Sequence, residues 1–543
     1  MISSVKIRRI FPPHRYIPTR PRRISTQNTN ALSRPPQLTS LPLTISQILR
    51  IPPSPTSSTN DGGGERVKVT VNGWIDSIRK QKNVSFASIG DGSCARSIQA
   101  VIPRSLPIDL ERMNRGAGVR VVGEWVRSEG RGQSEELRVE AVDILGDCPP
   151  EDYPIQKKKL STEYLRDHAH LRTRYSKMNA MLRMRDRVTC AVHHYFHSNE
   201  FLHMHTPIIT SNDCEGGGET FRLTTLPPSP SPSPSSPEFF SKPAHLTVSH
   251  QLHLEALSSS YTRLYTLSPS FRAEKSQTSR HLAEFYMLEA EMSFVQDLGG
   301  VMDVLEGVVK SVLGVVVGGE DWGVLWEGRE RELASFEERG LGVGGLGGGR
   351  GRWPRVTYDD VLGMLDKAKE RGAKFEFPTK WGDPLKSEHE KYIAEEIFKG
   401  PVFVTDYPAH QKPFYMATSS PSHSSSSSSS ASPSSSSGTS SASSVSSQNA
   451  DRTTAKCFDL LVPHSLELAG GSLRLHTHSS LLSSLSSHNL SPEEFGWYLD
   501  LRKWGSVPHG GFGMGFDRLM GWIGGVGVRE CVGMPRWAGR MLL

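Results

Sequence analysis

Two arginines bracket a short polar loop in the stretch Phe271-Arg272-Ala-Glu274-Lys-Ser-Gln-Thr-Ser-Arg280-His281-Leu-Ala-Glu-Phe285. Guanidinium forks grip phosphate oxygens two at a time, and an aromatic ring offers a face for a base. A strand, a loop and a returning antiparallel strand would bring Arg272, Arg280 and Phe285 to one mouth, a set suited to a nucleoside triphosphate. Further along, His509-Gly-Gly-Phe-Gly513-Met-Gly515-Phe-Asp517-Arg518 alternates glycines on what reads as a strand entering a helix. Such a strand lets a nucleotide lie against bare backbone. Taken singly, the first stretch is an ordinary charged hairpin and the second a Gly-rich strand. Their occurrence in one chain and in this order is what carries the reading.

The elements that must hold these groups follow from pattern and composition. At 543 residues the chain has room for two or three domains and a large core. Its formal charge of +6 suits a polyanionic partner. Six cysteines without a Cys-x-x-Cys pair indicate neither a zinc knuckle nor a disulfide framework. No apolar run is long enough to span a bilayer, so no membrane partner is expected. Residues 1–60 are rich in Arg, Ser and Pro, and the first acidic residue is Asp61. That is the composition of a disordered basic targeting segment of the mitochondrial transit type, which makes the mitochondrial matrix the expected location. A basic tail that helps hold RNA is the other reading.

Five short strands follow within about 80 residues, at Val67–Val71, Val84–Ile89, Ser97–Ile102, Gly118–Val126 and Glu136–Asp143. They predict a small closed barrel of OB type over residues 66–147. Arg79-Lys-Gln-Lys82 beside Phe86 suits a single-stranded nucleic acid, with charge for phosphates and a ring for a base. Spacing alone leaves Phe86 as well placed in the barrel core. Residues 148–176 read as a hinge, and the second domain fills 177–543. It opens with a helix over Met178–Asn199 and a strand over Phe201–Thr210, where Pro207 implies an edge or an interface. Pro/Ser repeats at 226–238 and the serine tract at 418–450 read as disordered insertions. Glu388-His389-Glu390 lacks a second histidine at helical spacing and reads as scaffold rather than a zinc site.

The whole stretch Phe271–Glu291 resembles motif 2 of the class II aminoacyl-tRNA synthetases, in the form used by asparaginyl-tRNA synthetases. The helix, strand and proline at 178–210 resemble motif 1, the family's dimer interface, and the glycine-rich strand ending in Arg518 resembles motif 3. Leu160–Arg174, including Leu165–Arg172, is similar to the family's hinge, and Pro535-Arg536 to its carboxyl-terminal end. The barrel resembles the anticodon-binding domain of the aspartyl, asparaginyl and lysyl members, where Phe86 and Gln99 occupy positions that contact the anticodon. The resemblance runs over about residues 66–540, with gaps at the insertions and near 300–375.

It implies an α+β fold: an N-terminal OB-fold β-barrel plus a class II synthetase catalytic domain with a central antiparallel sheet flanked by helices. It implies a ligase that joins L-asparagine to tRNA(Asn) through an asparaginyl-adenylate, using ATP and Mg2+, as a homodimer. The roles it assigns are charge stabilisation by Arg272, Arg280 and Arg518, and ATP binding by these with Glu274, His281, Phe285 and Glu467. Asp459 and Glu467 would hold magnesium, whose preference is for hard oxygen donors. Glu215, Gln251, Glu255 and Arg474 would hold the amino acid. The segment Gln251-Leu-His-Leu254-Glu255 bears on which amino acid that is. Aspartyl members carry a lysine where this chain has Leu254. A pocket without that cation and with a carboxylate suits a neutral amide and disfavours an acid. Leu473 and Leu475, where the family has Ser-Gln-Arg-Glu around the arginine, are a departure from its pattern. An aspartyl enzyme and a non-charging RNA-binding paralogue are the alternatives.

Overall fold

The computed structural model describes residues 40–54, 66–130, 132–211, 220–225, 238–276, 278, 280–340, 351–419 and 452–543. Five strands form a closed barrel: β1 (Lys68–Lys80), β2 (Val84–Gly90), β3 (Ile98–Pro103), β4 (Gly118–Arg127) and β5 (Glu135–Gly146), joined in the order β1-β2-β3-β5-β4. Alternation fills the interior. Ala87, Ile89, Ile98, Ala100 and Val121 point inward with almost no exposure, and the intervening residues face out.

The expectation of a disordered segment over 1–60 is corrected at its carboxyl end. A short helix α1 (Ile45–Ile48) follows the N-cap Thr44, and Ile45 and Ile48 lie wholly inside the barrel's core cluster. Trp125 Nε1 donates to the Ile51 carbonyl at 3.0 Å, and Ser54 bridges to Val126. Composition concealed this, because the pair of isoleucines that pays for ordering the segment is set among prolines, serines and basic residues. Residues 1–39 and 55–60, the rest of the segment read as targeting, lie outside the described residues.

The second domain is built on an eight-stranded sheet. Its strands are β6 (Leu202–His203), β7 (Arg263–Phe271), β8 (Glu284–Ser293), β9 (Arg355–Thr357), β10 (Val402–Thr405), β11 (Cys457–Val462), β12 (Leu466–Leu473) and β13 (His509–Gly515). Their order across the sheet is β9-β10-β11-β12-β13-β8-β7-β6. The six central strands pair antiparallel, as expected, while the edges β6 and β9 join parallel, so the sheet is mixed. The strand expected over Phe201–Thr210 is split. Leu202–His203 joins this sheet and Ile209–Thr210 pairs with Ala244–Leu246 instead. Pro207 lies between them and cannot donate to a ladder.

The two faces of the sheet differ because strand side chains alternate. Leu288, Ala290, Met292, Phe458, Leu460, Phe512 and Met514 point to one side. There they pack under helix α2 (Ser176–Ser198), helix α4 (Leu298–Val316) and helix α6 (Phe516–Gly524). Helix α3 (Gln251–Ser258) lies against β7 and β8. Helix α5 (Tyr358–Glu370) covers β10 and the Cys457 and Leu461 side chains of β11. The opposite side of the central strands carries Glu289, Glu291, Asp459 and Glu467 over the glycines of β13. The disorder expected over 418–450 does not extend to Thr418–Ser419, which pairs with Thr454–Ala455. Residues 420–451, 226–237 and 341–350 lie outside the described residues, whereas Glu238 is described. Among the described residues no helix is long and apolar enough to cross a membrane.

Candidate active site

The hairpin β7–β8 forms as the sequence predicts, in register from Arg263 opposite Met292 to Phe271 opposite Glu284. Arg272 leaves β7 and Phe285 begins β8, so the guanidinium stands 5.6 Å from the ring centroid. One cleft is lined by Arg272, Glu274, Arg280, His281, Phe285, Glu467 and Arg518, so all seven residues assigned to the nucleotide come together. His281 Nε2 is 3.4 Å from Glu274 Oε2. Arg518 donates to the Glu467 carbonyl at 3.1 Å, which ties the last motif to β12. The cleft thus combines three guanidinium groups with an aromatic wall and a floor of Gly513 and Gly515. Such a site binds a base between planes and spreads positive charge along a polyphosphate.

Asp459 on β11 lies opposite Gly470 on β12. A β-carbon on Gly470 would stand 3.1 Å from Asp459 Oδ1 and 3.8 Å from Glu467 Oε1, so the two carboxylates converge over a position kept open by the missing side chain. Among the described residues no group of three or more His, Cys, Asp or Glu stands in metal-holding geometry. Two carboxylates facing a phosphate site nevertheless fit magnesium, which takes one or two protein carboxylates and completes its shell with phosphate oxygens and water. Lys412, absent from the sequence-based set, lies 3.0 Å from Asp459 Oδ2 and 4.0 Å from the Tyr407 ring centroid. Glu390 is a second addition, from the segment read as scaffold. Burial, then Glu467 and Asp459, push its carboxyl up to about 7. Glu467 shifts the same way, by desolvation within the cleft and by Asp459.

The residues assigned to the amino acid, where described, lie in a buried charge network. Arg474 Nε and Nη2 donate to the two oxygens of Glu291 at 3.3 and 3.1 Å, and its Nη1 donates to Ser472 Oγ at 2.6 Å. Glu255 Oε2 accepts from Arg502 Nη2 and from the Tyr498 hydroxyl, both at 2.6 Å, with His509 Nε2 at 3.2 Å. Its other oxygen accepts from Gln251 Nε2 at 2.9 Å. Burial opposes the charge on Glu255, but Arg502, His509 and Arg474 hold its carboxyl well below the ordinary glutamate range. Glu291 moves the other way, raised by burial and by Glu255 against the pull of Arg474.

Both oxygens of Glu255, assigned to the amino acid, accept from protein donors, which tie it to Arg502, Tyr498, His509 and Gln251. The carboxylate paired with Arg474 is Glu291, the last residue quoted in the hairpin stretch and given no role there. A β-carbon on Gly511 would fall 2.1 Å from Glu291 Oε2, so glycine is required for that carboxylate to fit. Leu254 is buried and leaves no cation at its position. Glu289 accepts from His250 N at 2.8 Å and so anchors the amino end of α3, which carries Gln251 and Glu255. Glu215 lies outside the described residues.

On the barrel, Phe86 is half-exposed on the outer face of β2, between the buried Ser85 and Ala87. Arg79 pairs with it in register, its guanidinium 5.2 Å from the ring centroid. Gln99 pairs with Ser88, two residues along, and shares that face. The open surface of charge, ring and amide is the one single-stranded bases require.

A family model described as tRNA synthetases class II (D, K and N) matches residues 161–538, and one described as OB-fold nucleic acid binding domain matches 69–145. The chain belongs to the class II tRNA synthetases. It is 39% identical over 480 residues to an asparagine–tRNA ligase of Nostoc, covering 86% of this chain and 95% of the relative. It is 38% identical over 483 residues to the asparaginyl-tRNA synthetase of Mus musculus, covering 88% and 91%. The crystal structure of asparaginyl-tRNA synthetase from Pyrococcus horikoshii complexed with asparaginyl-adenylate superposes with a TM-score of 0.68 at 28% identity, covering 88% of this chain and 96% of that one.

For this synthetase, the carboxyl of Glu390 predicts a pH effect. A proton there neutralises part of the field that attracts a divalent cation. Its raised value of about 7 means the proton is largely present at pH 6.5 and largely gone at pH 8. Magnesium–ATP binding, followed by titration calorimetry, is expected to weaken several-fold over that fall in pH. Glu390→Gln should flatten the dependence, and an equally steep dependence in the variant would assign it elsewhere.

Proposed function

We propose that the chain is an ATP-dependent asparagine–tRNA ligase acting in two steps. The asparagine carboxylate attacks the α-phosphorus of ATP, the bond to the bridging oxygen breaks, and pyrophosphate leaves with that electron pair. A ribose hydroxyl at the tRNA 3′ end then attacks the adenylate carbonyl, loses its proton, and AMP departs. No protein nucleophile is needed, so the chain contributes position and charge. Arg272 faces the α-phosphate, where charge grows on the non-bridging oxygens. Phe285 and Arg518 hold the adenine between them, and Arg280 and His281 meet the distal phosphates. Mg2+, held by Asp459 and Glu467, would neutralise the phosphate oxygens when bound.

The observation that carries the choice of amino acid is the Arg474–Glu291 pair. An asparagine amide satisfies both ends, its carbonyl accepting from Arg474 and its NH2 donating to Glu291. An aspartate would set a carboxylate against Glu291 with no lysine near Leu254 to offset it, a difference worth about 10⁴-fold in favourable cases. The tRNA(Asn) anticodon is read on the Arg79–Phe86–Gln99 face. ATP–pyrophosphate exchange on a chain starting at residue 40 should proceed with asparagine and not aspartate. Arg272→Ala should abolish it while tRNA binding stays nearly intact. Exchange with aspartate, or wild-type exchange by the variant, would defeat the reading.

Two further parts belong to this proposal. The Arg-rich amino end supports action in the mitochondrial matrix; a reporter bearing residues 1–43 should enter isolated mitochondria, and exclusion would remove that part. The exposed Leu202, Ile208 and Ile209 beside Pro207 support a homodimer through this face. Sedimentation should return twice the chain mass, and a monomer mass would count against it.

A further inference from the structure

The two walls of the adenine slot sit on separate elements, Phe285 at the start of β8 and Arg518 in the first turn of α6. The gap between them is set by their chain neighbours. Asp517, next to Arg518, accepts at Oδ2 from the backbone N–H of Tyr286, next to Phe285, at 2.8 Å. Its Oδ1 is ion-paired with Arg185 of α2. Arg185 fits closely: its guanidinium lies 4.8 Å from the Phe516 ring centroid and 5.2 Å from that of Tyr286, and Nη1 also reaches the Cys531 carbonyl at 3.4 Å.

Asp517 is 2% exposed. A carboxylate so buried holds its charge, and its capacity to accept two bonds at once, only with a cation beside it. Burial pushes the Asp517 carboxyl up, and Arg185 is the first of the groups that oppose this. Arg185 comes from the long helix that opens the catalytic domain, so one bonded chain joins α2, β8 and α6.

We propose that Arg185, acting through Asp517, is a positioning residue for the nucleotide: it holds the Phe285 and Arg518 walls at their spacing and couples the seating of α2 to ATP affinity. It touches no substrate, and its action rests on the reading of Phe285 and Arg518 as the adenine slot. Its loss widens or tilts the slot and leaves the buried asparagine pocket, built on α3, β8, β12 and β13, in place.

The test is the KM of each substrate in ATP–pyrophosphate exchange for the wild type, Arg185→Gln, Arg185→Lys, Asp517→Asn and Phe285→Ala, each checked for a native circular-dichroism spectrum. Arg185→Gln and Asp517→Asn should raise the KM for ATP at least about tenfold, since small misplacements of a binding surface carry large penalties. The KM for asparagine should stay within about twofold, the scale of an uncoupled site. Arg185→Lys keeps the cation and should recover most of the loss; it is read in place of Arg185→Gln if the glutamine variant does not fold. Adding Arg185→Gln to Phe285→Ala should cost less than the product of the single effects. Equal changes in both KM values, or an unchanged KM for ATP while Phe285→Ala raises it, would overturn the inference and leave the slot standing. An unchanged KM for ATP in Phe285→Ala would instead remove the slot reading.

Discussion

Four charged side chains, Glu255, Glu291, Arg474 and Arg502, are each nearly inaccessible at the centre of the catalytic domain. Charges so placed are tolerable only as a balanced set with their remaining hydrogen bonds made, and removing one member leaves another uncompensated, at about 3–5 kcal/mol. The domain meets that demand from five directions. Helix α3 supplies Glu255, β8 supplies Glu291, the end of β12 leads to Arg474, the segment after Tyr498 supplies Arg502, and β13 brings His509. Displacing any one of these elements would unbalance the set. Two arginines in it face two glutamates, Arg474 with Glu291 and Arg502 with Glu255.

The sheet makes this possible by division of labour between its faces. One face is apolar and buries the helices; the other carries carboxylates over glycine. Gly470 leaves room between Asp459 and Glu467, and Gly511 leaves room for Glu291. At both positions any side chain would occupy the space the chemistry uses.

How far this could be seen in the sequence depends on the range of the interaction. Period-two strands set the barrel, and the β7–β8 hairpin brings Arg272 and Phe285 together through local geometry alone. The seven residues assigned to the nucleotide do line one cleft, and their types and order are distinctive enough to be grouped from sequence. The parts missed are contacts between distant segments. Glu291 was hidden because nothing near it in the chain shows that Arg474, 183 residues on, faces it. The partners of Glu255 were hidden likewise, because Arg502 and Tyr498 lie 247 and 243 residues away. Lys412 and Glu390 meet the carboxylates only across the folded sheet. The segment 45–54 was read by its average composition, while its burial rests on Ile45 and Ile48.

The central claim is that the Arg474–Glu291 pair reads the neutral amide. It is tested most directly by kcat/KM for asparagine and aspartate in adenylate formation by the wild type and by Glu291→Gln, a change that keeps shape and removes charge. The account predicts that the asparagine-to-aspartate ratio falls by about 10²-fold or more, with asparagine left a weaker, uncharged acceptor and aspartate losing its repulsion. A ratio unchanged in a folded variant would contradict it and place discrimination outside this pair.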